Sequence, residues 1–521
     1  MGRRRRSDPK REARGRERLA SYRDFIDDWE AFEAAIRIPE PTTLRANTLR
    51  ISREALADRL EAQGYAVSPV AHQPAFLRVD EEPEGRPVSD TLEHWMGLFY
   101  MQQTATGLAA PLLGPEAGER VLDLCSAPGG KTTHLAELME GRGTVVASDV
   151  NETRIRALLG NLYRLGHTNV MTVAGDGRRF PEGATFDRVM VDVPCSAEGT
   201  LRKRGGKIPG HSGKWAKQVT KAQEKLLRKA VVLTRPGGTL LYVTCTFGPD
   251  ENEAVLTRVL ADAPISVDPI ELPVPHARGL EAFGDARFDP SLVGAVRIYP
   301  HHLDSGGLFM CRLRREAGEG GDGEAGEHGH ATRVRGWTPV PADFPFSDEP
   351  GEGSADADAP PVEEVVARGR AFMDQEVGLP EGRLDALSWL RRGTNLWAHT
   401  LEGWPAEAWK EGGHWRVVQV GFRAWDLGGN GPPRPTNDLL GWLGDAVPRR
   451  VDLSAGRWVR LLEGRTLPDE GDDGLVALGF RGTALARGFR RDGVLRHEVP
   501  KGRLRWLRAA MEGWAEDEDA G

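Results

Sequence analysis

Arg120–Thr133, RVLDLCSAPGGKTT, is the stretch on which the fold turns. Val121, Leu122 and Leu124 form a short apolar run, closed by a Gly-containing turn and followed by a helical pattern over Thr132–Met139. That order predicts a buried strand, a tight turn and a helix opening. Gly129 and Gly130 let the backbone approach a ligand with no Cβ between them. The free amides that open the helix face whatever rests on the turn. Thr144–Asp149, TVVASD, reads as a second strand ending in a carboxylate. Asp149 falls about 20 residues past the glycines, where a βαβ unit offers an acid to ribose hydroxyls. The turn is not a phosphate-binding P-loop: Gly130-Lys131-Thr132 supplies the end of that motif, but Cys125 stands where its first glycine is required. The dinucleotide spacing G-x-G-x-x-G is absent as well.

Further strand patterns follow. Asn169–Val173 leads into Gly175-Asp176, Phe186–Pro194 (FDRVMVDVP) precedes Cys195, and Gly237–Phe247 (GGTLLYVTCTF) carries Cys245. Helical patterns at Arg154–Leu165 and Val219–Thr234 alternate with them. Alternation of this kind predicts the α/β class, with a doubly wound, Rossmann-like parallel sheet. Open sheets of that kind bind ligands at the carboxyl edge of the strands. Two strand ends therefore bring Cys195 and Cys245 to one edge.

The segments DLCSAPGGKT, DVPCS and TCTF, in that order, resemble the Nop/Sun family of RNA cytosine-5 methyltransferases, which use S-adenosylmethionine. The resemblance is strong over about residues 40–315 and weaker over 365–506. It implies that Cys125, Ser126, Ala127, Pro128, Gly129, Gly130 and Lys131 cradle the methionine end of the cofactor. Asp149 is implied to hold its ribose and Asp176 its adenine amino group, with Asp192 at the target base or the methionine end. Cytosine C5 is a poor nucleophile, and thiolate addition at C6 makes it enamine-like, splitting one hard step into easier ones. Such a thiol needs a lowered pKa. By resemblance the cysteine of Thr-Cys, Cys245, is the nucleophile and that of Pro-Cys, Cys195, assists resolution of the adduct. Lys131 would neutralise the cofactor carboxylate or the base carbonyl as charge develops. The target base has to be unstacked, so a looped or flipped nucleotide is expected.

A chain of 521 residues is long enough for two or three domains. The resemblance and the composition together suggest a basic tail without fixed structure at 1–21, an RNA-binding subdomain at 22–113 and the methyltransferase domain at 114–315. A linker at 316–364, dense in Gly, Glu, Asp and Pro, cannot bury a core. A second globular region at 365–506 and an acidic, solvated tail at 507–521 complete the chain. Arg45-Ala-Asn-Thr48 resembles the family's R-x-N-T signature and precedes an amphipathic stretch, Ser52–Gln63. The second region holds most of the tryptophans, among them Trp389, Trp397, Trp404, Trp409, Trp415, Trp425, Trp442 and Trp458, which are expected to be core more often than stacking platform. Its strand patterns at Trp415–Val420 and Leu475–Phe480, with a helix at Asn437–Leu443, resemble the PUA-like module of bacterial ribosomal-RNA members. That favours small-subunit ribosomal RNA as substrate over transfer RNA, and the intact cysteines argue against a non-catalytic role in ribosome assembly.

A net charge of −8 excludes a uniformly basic nucleic-acid binder, so an RNA site has to come from local clustering. Arg202, Lys203, Arg204 and Lys207, just after Cys195, form a candidate phosphate clamp. No apolar run approaches the roughly 18 residues of a membrane span, and the Arg-rich start lacks the apolar segment of a secretory signal. Four scattered cysteines, at 125, 195, 245 and 311, make neither a disulfide framework nor a metal site. Cys311 reads as a core residue. His301 and His302 have no further ligand at metal spacing in the sequence, and no metal is expected. A monomer in a reducing cytoplasm is the simplest expectation.

Overall fold

The computed structural model describes residues 9–317, 335–342, 360–379, 381–407, 415–428 and 431–520. The Arg run at 3–6, Trp409 and the Gly- and Glu-dense runs of the linker lie outside them.

The described residues begin with a helix, α1 (Pro9–Ala20), where the composition had suggested a tail without structure. A four-stranded antiparallel sheet follows, in the order Ala66–Pro69, Phe76–Glu81, Thr43–Ala46, Phe99–Met101. Helix Arg53–Glu61 packs on it through Leu56 and Leu60. The helix starts where it does because the Ser52 hydroxyl accepts the Ala55 N–H.

The central sheet is built from β1 (Arg120–Asp123), β2 (Thr144–Asp149), β3 (Val170–Ala174), β4 (Phe186–Asp192) and β5 (Thr234–Thr244), hydrogen-bonded in the order β3-β2-β1-β4-β5 and all parallel. Helix α2 (Gly130–Leu138) follows β1, α3 (Glu152–Leu165) follows β2 and α4 (Gly213–Leu233) precedes β5. The strands are apolar on both faces because helices cover both. Val121, Val145, Met190 and Leu241 pack with Leu135 and Leu158 on one side. Their neighbours Leu122, Val146, Val189 and Leu240 pack with Leu226 and Leu227 on the other, as the period-2 alternation of a strand requires. Leu158 and Leu162 of α3 are fully buried, each contributing roughly 1.5–3 kcal/mol.

Antiparallel strands extend both flanks. Past β5 lie β6 (Val296–Ile298) and β7 (Leu308–Arg315), with β7 between β5 and β6. Past β3 lies β8 (Arg416–Val420). The strand expected over Trp415–Val420 therefore closes the catalytic sheet instead of serving a separate C-terminal sheet. An uncovered β3 would present unpaired backbone groups; β8 satisfies them, and the Thr172 hydroxyl donates to Gln419 Oε1 at 2.7 Å. Trp415 lies against the turn after β3, where a Cβ on Gly175 would come within 2.7 Å of its ring.

The linker region also departs from its composition. Trp337 donates its indole N–H to Thr185 O at 2.8 Å and meets the Phe186 ring edge-on at 5.4 Å. Thr338 and Trp404 exchange backbone hydrogen bonds. Beyond it stand a four-stranded antiparallel sheet (Ser388–Arg392, Asn395–His399, Phe422–Asp426, Arg434–Pro435) and a five-stranded mixed sheet that includes Gly474–Phe480 and Thr483–Arg491. Trp397, Trp404, Trp415, Trp425 and Trp458 are buried, so these indoles serve packing. Helix Lys501–Ala520 carries Leu507, Ala510 and Met511 into a core with Trp458, so the segment expected as a tail from 507 is docked over its first turns, and the side chains of the acids at 516–519 lie outside the described residues. Apolar residues at helical spacing outweigh the acids that follow them.

Candidate active site

The turn after β1 is tied to the end of β2. Ser126 donates its N–H and hydroxyl to Ser148 O at 2.8 and 3.0 Å. Asp149 accepts the Ala127 N–H at 3.2 Å and the Asn151 N–H at 2.9 Å, with Arg154 at 3.3 Å. Gly129 adopts φ +107°, and a Cβ there would come within 2.7 Å of Leu158, so only glycine suits this approach. Asp176 caps the turn after β3 through the Arg178 N–H and pairs with the Arg178 guanidinium at 2.6 Å. The Gly175 N–H donates to Asp149 O at 3.0 Å, which sets the two acidic turns side by side. Cys125, Ser126, Ala127, Pro128, Gly129, Gly130, Lys131, Asp149 and Asp176 thus share one sheet edge.

Asp123, which the sequence reading did not single out, ends β1 beneath this turn. It accepts the Thr132 hydroxyl at 2.7 Å on one oxygen. Its other oxygen and the Ser148 hydroxyl are buried with no partner among the described residues. Burial lifts the Asp123 carboxyl to about 7. Its position at the strand end before the turn was the one available signal.

The strand ends of β4 and β5 bring Cys195 Sγ and Cys245 Sγ to 3.4 Å. Next to them Lys131 Nζ meets Asp192 Oδ2 at 2.7 Å. The thiol hydrogen bond from Cys195 holds Cys245 below the ordinary thiol range; burial and Asp192 oppose this and Lys131 assists it. The same bond, with burial, pushes Cys195 well up. One thiol is therefore disposed to carry the negative charge and the other to keep its proton. Burial pushes Cys125 and Cys311 up as well, and neither has a thiol partner of this kind. Burial would lower Lys131, but Asp192 beside it outweighs that and holds the ammonium charged.

Residues far away in sequence lock these turns. Glu198, fully buried three residues after Cys195, accepts the Tyr22 hydroxyl at 2.9 Å, the Thr246 hydroxyl at 2.8 Å and the Phe247 N–H at 3.1 Å. Arg18 of α1 bonds it from outside and reaches Asp250 at 2.8 Å. The N-terminal helix is ordered because it neutralises a carboxylate that joins both cysteine turns. Glu251 accepts the Ser196 N–H at 3.0 Å and the Gln223 amide at 2.9 Å.

Arg45 of the R-x-N-T signature is fully buried and forks onto Glu137 at 2.8 and 2.9 Å. It also donates to Gly130 O at 2.7 Å and the Thr133 hydroxyl at 2.8 Å. Asn47 donates to Leu165 O at 2.9 Å. The signature fastens the N-terminal sheet to the helices that follow β1 and β2.

Two further expectations are corrected. Arg202 cannot belong to a phosphate clamp: it is buried and donates to Ile38 O at 3.0 Å, Pro39 O at 2.8 Å and Asp304 at 2.8 Å. Lys203, Arg204 and Lys207 of the same loop stay exposed. His301 and His302 do acquire a third group, Asp27, at 3.2 and 3.0 Å from their Nε2 atoms. The His302 Nδ1 accepts the Tyr299 N–H, which leaves the imidazole proton on Nε2, directed at Asp27. The trio thus reads as a staple between the N-terminal segment and the end of β6.

Residues 110–314 match the family model described as 16S rRNA methyltransferase RsmB/F, and residues 20–84 match the RsmF/B-like ferredoxin-like domain. The chain is 33% identical over 300 residues to ribosomal RNA small subunit methyltransferase F of Erwinia tasmaniensis, covering 56% of this chain and 60% of that protein. It is 33% identical over 312 residues to the human 28S rRNA (cytosine(4447)-C(5))-methyltransferase, covering 57% and 38%. The match spans less than two thirds of either relative. A crystal structure of a methyltransferase homolog from Pyrococcus horikoshii, 28% identical, superposes with a TM-score of 0.51 over 59% of this chain and 100% of that one.

Proposed function

From a chain whose methyltransferase domain belongs to the RsmB/F family, we propose an S-adenosylmethionine-dependent RNA cytosine-5 methyltransferase acting on small-subunit ribosomal RNA. The observation that carries this reading is the thiol pair, 3.4 Å apart beside the Lys131–Asp192 ion pair. The cofactor fits the edge: the unpartnered buried oxygens of Asp123 and Ser148 suit a ligand with its own polar groups. The Cys125–Lys131 turn would hold the amino-acid end, Asp149 the ribose and Asp176 the adenine amino group. When bound, the cofactor supplies an electrophilic methyl group.

The chain's own residues do the rest. The Cys245 thiolate adds to C6 of the cytosine, and the ring electron pair moves toward C5. Lys131 stabilises the charge that develops on the base, where a fixed cation in a partly dry site is most effective. Asp192 orients Lys131 and faces the base. Cys195 enters as a thiol, gives its proton to the Cys245 sulfur as that is expelled from C6 and takes the C5 proton in its place, so that both cysteines end as thiols; such proton transfer contributes typically about 10²–10⁴-fold. The exposed Lys203, Arg204 and Lys207 lie on the loop after Cys195, where the strand bearing the base would pass. The C-terminal sheets, read as a PUA-like module, offer a second RNA contact.

Among the described residues no helix is long and apolar enough to cross a membrane. The described cysteines are free thiols, in keeping with a reducing cytoplasm. The test is bisulfite mapping of ribosomal and transfer RNA after incubation with the wild-type protein and with Cys245→Ala. A protected cytosine in small-subunit RNA is expected with wild type, and loss of transfer on the order of 10⁴-fold or more with the variant. Full activity in the variant would overturn the mechanism, and protection in transfer RNA alone would overturn the substrate.

A further inference from the structure

A cavity of about 530 Å³ opens between α3 of the catalytic domain and the sheet built on Ser388–Arg392 and Asn395–His399. Tyr163 and Trp397 wall it, their ring centroids 6.3 Å apart, and Arg392, Arg423 and Arg503 line it. Tyr163 packs against the cores of both regions, so the cavity lies on their junction.

Its charge is unbalanced. The lining holds three guanidinium groups and one carboxylate, Asp438, inside a chain whose net charge is −8. Asp438 holds Arg503 at 2.6 Å, and Arg392 donates to Val418 O at 3.2 Å. Arg423, 45% exposed, has its nearest acid, Asp426, only at 4.0 Å, and Asp426 is engaged by Arg487 at 3.1 Å. All three arginines line the cavity beside Tyr163, whose phenol burial and Asp438 raise while Arg423, Arg392 and Arg503 act in the other direction. Planar guanidinium forks match phosphate oxygens.

The cavity is not the pocket of the reacting base. Tyr163 lies eleven residues along α3 from Glu152, next to the β2 end, about 17 Å at 1.5 Å per residue. The thiols sit beyond β2, at the ends of β4 and β5, so a stacked strand at roughly 3.4 Å per nucleotide needs at least about five nucleotides to reach from one site to the other. We infer that this cavity binds a phosphodiester unit of the RNA strand several nucleotides away from the target cytosine. The inference rests on the RNA reading above.

It is tested with the full-length protein and two fluorescein-labelled single-stranded RNAs, a 20-mer with one central cytosine and the 4-mer around that cytosine. In Arg423→Glu, 20-mer affinity should fall on the order of tenfold and the slope of log K against log salt should shrink by about 1. The 4-mer affinity and S-adenosylmethionine binding should stay at wild-type values. Arg423→Ala should show a smaller loss of the same sign, and Arg287→Glu, an equal charge change at an exposed site outside the cavity, should show none. Unchanged 20-mer binding in Arg423→Glu, or an equal loss in Arg287→Glu, overturns the inference. Loss of 5′-CMP binding with the 20-mer unaffected would overturn it in favour of a free nucleotide. Wild-type protein that binds neither RNA overturns the RNA reading itself.

Discussion

Two ion pairs stand beside the same two cysteine turns, Lys131–Asp192 on the cofactor side and Arg18–Glu198 on the N-terminal side, and their surroundings differ. Lys131 and Asp192 are 14% and 26% exposed and meet through a single 2.7 Å contact. Asp192 keeps lone pairs open to a reacting group. Glu198 is 0% exposed and has every oxygen engaged by Arg18, Tyr22, Thr246 and Phe247. An acid with open lone pairs at a sheet edge can do chemistry, whereas an acid with none left serves architecture. Both pairs bridge distant segments, so the fact of an ion pair does not separate the two roles; the unused hydrogen-bonding capacity does.

The sharpest way to break this comparison is Asp192→Asn. If the pair acts in the reaction, kcat should fall about 10²–10⁴-fold, while the denaturant midpoint of unfolding stays near wild type. A large loss of stability with kcat intact would make it architectural. Arg18→Ala should do the reverse. It leaves Glu198 buried with neutral donors only, a cost of about 2 kcal/mol once the partial exposure of Arg18 is allowed for. Unfolding should shift accordingly, and Arg18→Lys should recover part of the loss. Unchanged stability would mean that α1 is merely resting on the turns.

The smallest effect sharpens the assignment within the thiol pair. Cys245 lies below the ordinary thiol range chiefly because Cys195 donates to it. The thiolate fraction rises as pH passes upward through that pKa, so a lowered value means reactivity at lower pH. Cys195→Ala removes the donor and should move the pH midpoint of Cys245 alkylation by iodoacetamide upward. A midpoint that stays or falls would show that Lys131 alone sets it.

Much of the catalytic sheet was legible because its determinants are local. The apolar runs of β1, β2 and β4, the turn at Gly129-Gly130 and the carboxylates at strand ends follow from strand period and turn chemistry within a few residues. Charge composition misled where burial was decided elsewhere. Arg202 sits in a run of basic residues with Lys203 and Arg204, and nothing in that run shows that the Ile38 and Pro39 carbonyls take it inward. The glycines of the linker concealed the placed Trp337 in the same way.

By itself, then, the sequence determined the order of strands and helices, the cofactor-type turn and the delivery of two cysteines to one edge, because periodicity and strand ends act over short range. Only the tertiary structure decided the 3.4 Å thiol contact. It alone brought Arg18 to Glu198 across 180 residues and Arg45 to Glu137 across 92. It also closed the sheet with β8. Partners so far apart leave no pattern along the chain; they are chosen when buried charges and open strand edges must each find the group that satisfies them.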